Sequence, residues 1–534
     1  MKHSLCIAIV LLLSVCCLQA ADAPALTELK GIVVDGDGKP VAGANVWTGN
    51  VGRGGFLDME SWQRSDENGR FALSVLTDQI NPWMTVYAVS PEKERLAQAR
   101  PKLQEGVLEI PEVLLVLKQA RIITGTVTDA NGNPIEGALV GGCWDMPYPN
   151  VTKSDKDGNF RFAYPEDGVR LHQVFAIHKE FGMDYIQTEE GRGVRAETPL
   201  EKIKDGPFSL KLAEWQTFKM RVVDEYQTPI PGVEVFSWLP RKDDASDSIN
   251  LGSLPNRLFQ IVTDAHGIAE VPSITERTRF NAISPNEGIL MPDGSRRFFA
   301  GAGERWVDFD KAEAIPTLVM ARLGNARGTV KRPDGTPVAW SRITISRHIG
   351  CGHGMQWTNT EGEFGITWGK AGELFDIGVE SKLGAAPGVF GFNVGDGIEE
   401  KRLDFVLERG IRLHGTVYHP DGTPSEQYWI LIQEKCPPSL LEAIQAALGD
   451  SDQTCPPGGC PVGRVIRQVS NDDELNSGGR YEYLLPAVHR KYDIRVSSYT
   501  NPDVLLILQD FEVKGDENEI RLDFHLQLRE RETP

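Results

Sequence analysis

Residues 125–140 read GTVTDANGNPIEGALV, and the segment 154–162 downstream reads SDKDGNFRF. In the first stretch Val and Ile alternate with polar residues, as a half-buried strand requires. Asn131-Gly132 supplies a turn that tolerates positive φ. Pro134, two places on, cannot donate to a central ladder and is expected at a strand start or edge. The second stretch is another tight turn, at Gly158, that enters an alternating strand.

The same pair of signatures occurs five times. The first signature recurs as GIVVDGDGKPVAGANV from Gly31, MRVVDEYQTPIPGVEV from Met220, GTVKRPDGTPVAWSRI from Gly328 and GTVYHPDGTPSEQYWI from Gly415. The second recurs around Gly69, Gly267, Gly362 and Gly479. The starts lie 94, 95, 108 and 87 residues apart. Repeats of that size, rich in short strands and turns, predict antiparallel β-sandwiches of about seven strands. The third copy has Gln227-Thr228 before Pro229 and lacks the turn glycine, so a turn of another type is expected there. Eight positions separate each of Leu117, Leu212, Met320 and Leu407 from the next repeat start. Such short, uniform junctions predict a semi-rigid string of units.

The expected architecture is therefore all-β, a tandem array of about five sandwich modules. The boundaries are 26–117, 118–212, 213–321 (divergent), 322–407 and 408–529 (divergent). A helical insertion near 439–448 is expected in the last module, with Ser439 as N-cap and Leu440, Leu441, Ile444 and Leu448 on one face. Pro91 to Gln98 reads as a short helix in the first module.

The paired motif resembles the carboxypeptidase regulatory-like domain, a transthyretin-like β-sandwich. The match is close in the first two modules, good in the fourth and partial in the third and fifth. The resemblance implies a non-catalytic appendage, stalk or adhesive unit with a carbohydrate-binding-like fold. It implies no peptidase activity, because the catalytic peptidase domain of that family is a separate unit.

Composition bounds the function. The chain has 534 residues with a formal net charge of −19, which argues against an electrostatic grip on nucleic acid or anionic lipid. Residues 1–20 read as a secretory signal: Lys2 and His3, an apolar run from Leu5 to Leu18, then Ala20 and Ala21. No later stretch is apolar for long enough to span a membrane. Lipid anchoring at Cys16 or Cys17 is the weaker reading, because Val15 is a poor lipobox residue. Five cysteines remain beyond the signal, too few for a disulfide framework. One disulfide among Cys436, Cys455 and Cys460 fits an oxidising compartment.

Several clusters carry a functional reading beside a plainer one. Asp35, Asp37, Asp155 and Asp157 invite a calcium reading but lack an EF-hand setting, so turn chemistry is expected. His348, Cys351, His353 and Met355 hold copper- or zinc-type donors at no standard spacing. Trp62 and Trp357, just before the second turn of their modules, suit sugar stacking if exposed and core packing if buried. Cys143 has no indicated His partner and is expected as a buried thiol. No catalytic motif is present and no cofactor is expected. The sequence favours an exported, non-catalytic envelope protein that scaffolds, spaces or adheres, with glycan or envelope protein as partner. A carbohydrate-binding protein is the alternative, and a metalloprotein or enzyme centred on the fourth module the second alternative.

Overall fold

The computed structural model of the chain describes residues 26–49, 62–77, 80–82, 84–143, 147–166, 171–188, 207–240, 248–251, 254–274, 277–285, 288–291, 295–297, 299, 302–308, 315–348, 353–366, 369–425, 427–448, 464–470, 478–498 and 504–528. The signal segment and Cys16, Cys17, Cys351, Cys455 and Cys460 lie outside them.

One three-strand arrangement occurs five times. In the first unit Leu26–Val34 lies between Arg70–Leu76, antiparallel to it, and Val113–Val116, parallel to it. Lys118–Thr128 holds the same place between Asn159–Pro165 and Phe208–Lys211. Gln216–Asp224 does so between Ile268–Ser273 and Thr317–Met320. Ala326–Lys331 and Gly410–Tyr418 repeat it in the fourth and fifth units. A second, antiparallel layer covers each of these sheets, as with Leu139–Cys143 between Pro147–Lys153 and Gln173–His178. The fold is thus all-β, with one parallel pair per unit that the sequence did not announce. The closing strand crosses over from the second layer and so returns in the direction of the first strand.

In the first three units one side chain builds the turn. Oδ1 of Asp35 accepts the N–H groups of Asp37 and Lys39 at 3.0 and 2.9 Å, and Gly38 takes φ 79°. Asp129 does the same for Asn131 and Asn133. In the third unit Asp224 accepts from Tyr226 and Thr228 at 2.9 and 2.8 Å, and Gln227 itself adopts φ 64°. The expectation of a different turn type there is corrected: the Asp cap holds the same loop and forces Gln into the left-handed region.

The second turn is locked to the first strand. The N–H of Val33 donates to Gly69 O at 2.8 Å, and the equivalent bonds join Val127 to Gly158, Val222 to Gly267 and Val330 to Gly362. A Cβ on these glycines would meet the strand carbonyl at 2.4–2.6 Å. The hydroxyl that opens the second motif completes the lock. Ser154 Oγ donates to Ile135 O at 2.6 Å and accepts from Ala138 N–H at 3.0 Å. Ser65, Thr263 and Thr358 make the same two bonds, and all four are buried.

Glycine in the first strand serves a different end. Gly31 pairs with Phe71, Gly125 with Phe160, Gly328 with Phe364 and Gly415 with Tyr481. In the first, second and fourth units a Cβ on the glycine would stand 2.4–2.6 Å from the facing Phe ring, so the ring lies flat over bare backbone. In the third unit the bulk changes sides: Met220 faces Ala269. The summed volume is roughly kept, which is the exchange a close-packed interior tolerates.

The helices depart from the sequence reading. Pro91–Gln98 is a turn followed by the strand Arg95–Ala99, because Ser90 Oγ accepts the N–H of Arg95 and Lys93 adopts φ 58°. The insertion helix runs Pro438–Leu448, one residue earlier than expected, with Leu440 and Leu441 N–H both donating to Pro437 O. Proline suits the first helical position, so Ser439 is inside the helix and is not its cap. Leu440 is exposed, whereas Leu441 and Ile444 pack on Phe390, Cys436 and Val465. The helix therefore sits against the fourth unit as well as the fifth. The short helix Leu254–Phe259 in the third unit carries no signal that the sequence reading used.

The volume exchange gives a test. Ala269→Phe should overpack the third unit at a cost of about 1–3 kcal/mol. Adding Met220→Gly should recover part of it, so that in calorimetry of the whole chain the double variant melts above Ala269→Phe alone.

Candidate functional site

The units are not independent beads. Lys118–Thr128 pairs with the second unit along most of its length, while Lys118 and Gln119 pair with Leu96 and Arg95 of the first. One sheet therefore runs through both units. Trp47, Tyr87, Val89 and Leu96 of the first unit share a core with Ile123, Phe162 and Tyr164 of the second. Trp47 stacks on Trp62 with centroids 4.1 Å apart and planes 11° from parallel. Arg161 reaches back to Glu94 Oε1 at 2.8 Å and to Glu92 O at 3.0 Å.

Beside this seam lies a cavity of about 320 Å³ lined by residues of both units, among them Asn45, Trp62, Arg64, Lys93, Lys153 and Arg161. At the next seam Ile249, Leu251 and Leu254 pack on Phe175, Met183 and Tyr185. There the Trp215 indole N–H donates to His178 O at 2.9 Å. A smaller cavity of about 250 Å³ at this seam is lined by Asp129, Glu180, Glu214, Phe181 and Trp215.

The fourth unit docks on the first, although more than two hundred residues separate them in sequence. Trp340 is buried in the core of the first unit with Leu115 and Leu117, and its Nε1–H donates to Val107 O at 2.9 Å. Ser341 Oγ donates to Glu105 Oε1 at 2.6 Å, Lys382 N–H to Glu105 Oε2 at 2.7 Å and Gly106 N–H to Ala339 O at 2.9 Å. The expected string of beads is corrected by this contact, which folds the array back on itself. The uniform junctions fix only neighbours and carry no information about a remote partner.

The backbone marks the docking residue. Gly43, Gly137 and Gly232 occupy the matching position of the first three units at φ 71–80°. Trp340 stands in their place at φ 62°. A bulky residue pays about 1–3 kcal/mol to hold such a conformation, and burial of the indole offsets it.

The sequence-predicted residues fall in separate places. Trp62 is partly buried in the seam between the first two units and lines the cavity beside it. Trp357 ends the strand His353–Trp357 of the fourth unit and is not among the residues lining that cavity. His348 is fully buried, with Nδ1 2.5 Å from Asp376. Met355 is on the surface, with Arg342 Nε 3.0 Å from its sulfur. These two do not face a common centre, and no group of three or more His, Cys, Asp or Glu with metal-holding geometry occurs among the described residues. Cys143 is buried, its Sγ donating to Asn250 O at 3.3 Å across the second seam. Cys436 is a buried free thiol, pushed up to about 11 by burial and then by the Asp376 charge. The carboxylates of Asp35 and Asp155 are held below the usual range by backbone N–H donors, as turn residues. Sequence reading missed Trp340 and Glu105. The usable signal for Trp340 was a tryptophan where sister repeats carry glycine.

No family model and no curated protein matches the chain. Among solved structures it is similar to the Bacillus anthracis TIE protein at 12% identity, covering 82% of this chain and 71% of that one, with a TM-score of 0.15. A streptococcal ancillary pilin matches at 11% identity over 59% of this chain and 100% of its own, with a TM-score of 0.15. The RrgB pilus protein from Streptococcus pneumoniae matches at 9% identity over 77% and 98%, with a TM-score of 0.12. Identities and TM-scores this low transfer no function.

Two outcomes follow from the docking contact. Trp340→Gly puts in the fourth unit the residue that the first three units carry, so that unit should stay folded while the dock opens. Amide exchange at Gly106 should accelerate and the radius of gyration rise; an unchanged scattering curve would contradict the dock. Burial holds Glu105 above the ordinary carboxylate value of 4.5, against opposing hydrogen bonds from Ser341 and Lys382. A raised folded value means the stabilisation is complete below that ordinary value and is lost as pH rises through the folded one. The dock should therefore tighten on acidification from neutrality, read as slower exchange at Gly106 and Lys382, and Glu105→Gln should flatten that dependence.

Proposed function

We propose that the chain is an exported, non-catalytic scaffold or adhesive protein of a bacterial cell envelope, built from carboxypeptidase regulatory-like modules bounded at 26–117, 118–212, 213–321, 322–407 and 408–529. The observation that carries the reading is the dock of the fourth unit on the first. A chain that spends backbone strain at Trp340 to hold remote units together presents its surfaces at fixed separations, as a scaffold must.

Three further features support it. The paired turn motifs resemble that module family, whose members serve as appendages and stalks. The N-terminal apolar segment resembles an export signal. No helix among the described residues is long and apolar enough to cross a membrane.

The exported chain, immobilised, should bind bacterial envelope material saturably and should turn over nothing in a peptidase and glycosidase panel. Hydrolysis well above background that survives repurification would overturn the reading, as would the absence of binding to every envelope fraction.

A further inference from the structure

The seam between the first two units combines features that the scaffold role does not use. Four cationic side chains line its cavity: Arg64 and Lys93 from the first unit, Lys153 and Arg161 from the second. Among the described residues no carboxylate lines it, in a chain of net charge −19. Arg161 is tied to Glu94, but among the described residues Arg64, Lys93 and Lys153 have no ion-pair partner. Polar groups suited to hydroxyls, Asn45 and Thr152, share the lining with the apolar Trp62, Val89 and Val151. Behind this wall the indole N–H groups of Trp62 and the stacked Trp47 are buried without an acceptor among the described residues. Buried donors left unpaired are uncommon and often mark a functional place.

The two cavity linings differ in charge. The neighbouring cavity, between the second and third units, is lined by Asp129, Glu180 and Glu214 and, among the described residues, by no cation. A low-dielectric wall carrying one sign focuses the field on a ligand of the other sign.

We propose that the cleft between the first and second units binds an acidic saccharide, one sugar ring at a time, through Arg64, Lys93 and Lys153. The anionic group meets the cations as charge-assisted hydrogen bonds. Asn45 and Thr152 meet ring hydroxyls, and the apolar wall takes the C–H face of the ring. A volume of about 320 Å³ lies at the small end of ligand pockets and suits one ring of a longer chain. The inference goes beyond the scaffold reading and does not need it. A failed titration here would leave the dock of the fourth unit untouched.

The test is calorimetric titration of the whole exported chain with a hexuronic acid trisaccharide, a sulfated trisaccharide, a neutral hexose trisaccharide and inorganic sulfate. Binding of one or both acidic sugars is expected, and which of them binds identifies the anion. Affinity should fall at least about tenfold in the R64A/K153A double variant and fall again in about 0.5 M sodium chloride. Both residues are exposed, so circular dichroism should show the variant folded. Equal affinity for the neutral sugar, equal affinity for sulfate alone, unchanged affinity in the double variant, or no binding of either acidic sugar would each overturn the proposal.

Discussion

The fold depends on one close approach, that of the second turn to the first strand. In four units a turn glycine sits under a valine carbonyl where no Cβ fits, and a buried Ser or Thr hydroxyl ties the same turn to the residues after the proline. This pins two segments that lie 31 to 45 residues apart in sequence. The aromatic ring over the bare glycine backbone then fixes the spacing between the two strands in the first, second and fourth units. Five copies of a small sandwich can afford long and variable connections because the register is set at this junction and not by the loops.

The elements that build this junction were legible because each is a local demand. Asp-x-x-Gly needs a side-chain acceptor and a positive φ, and both are written in adjacent residues. The third unit shows where locality misleads. Its turn keeps the shape without glycine, since the Asp224 cap outweighs the preference of Gln227. Its strand pair keeps the volume without the Gly–Phe signature, since Met220 and Ala269 trade places in size. The polar run after Pro91 has helical composition, but the hydroxyl of Ser90 closes a turn first.

The seams were almost illegible, for a physical reason. A surface that packs against a unit two hundred residues away imposes no period on its own sequence. The cations of the cleft are likewise spread from position 64 to position 161 and come together only because the strand Lys118–Thr128 is shared by both units. Trp340 is the exception, visible as a departure from the pattern of its sister repeats. Trp62 lies in a wall built by two units, and Trp357 belongs to a different unit.

The parallel pairing of first and last strands has a mechanical consequence. Because the two strands lie side by side and point the same way, the polypeptide enters a unit at one end and leaves at the other. Tension applied through the chain ends then slides these strands along each other and loads all their hydrogen bonds together, where a hairpin would open one bond at a time. Each unit is therefore arranged to resist stretching along the chain.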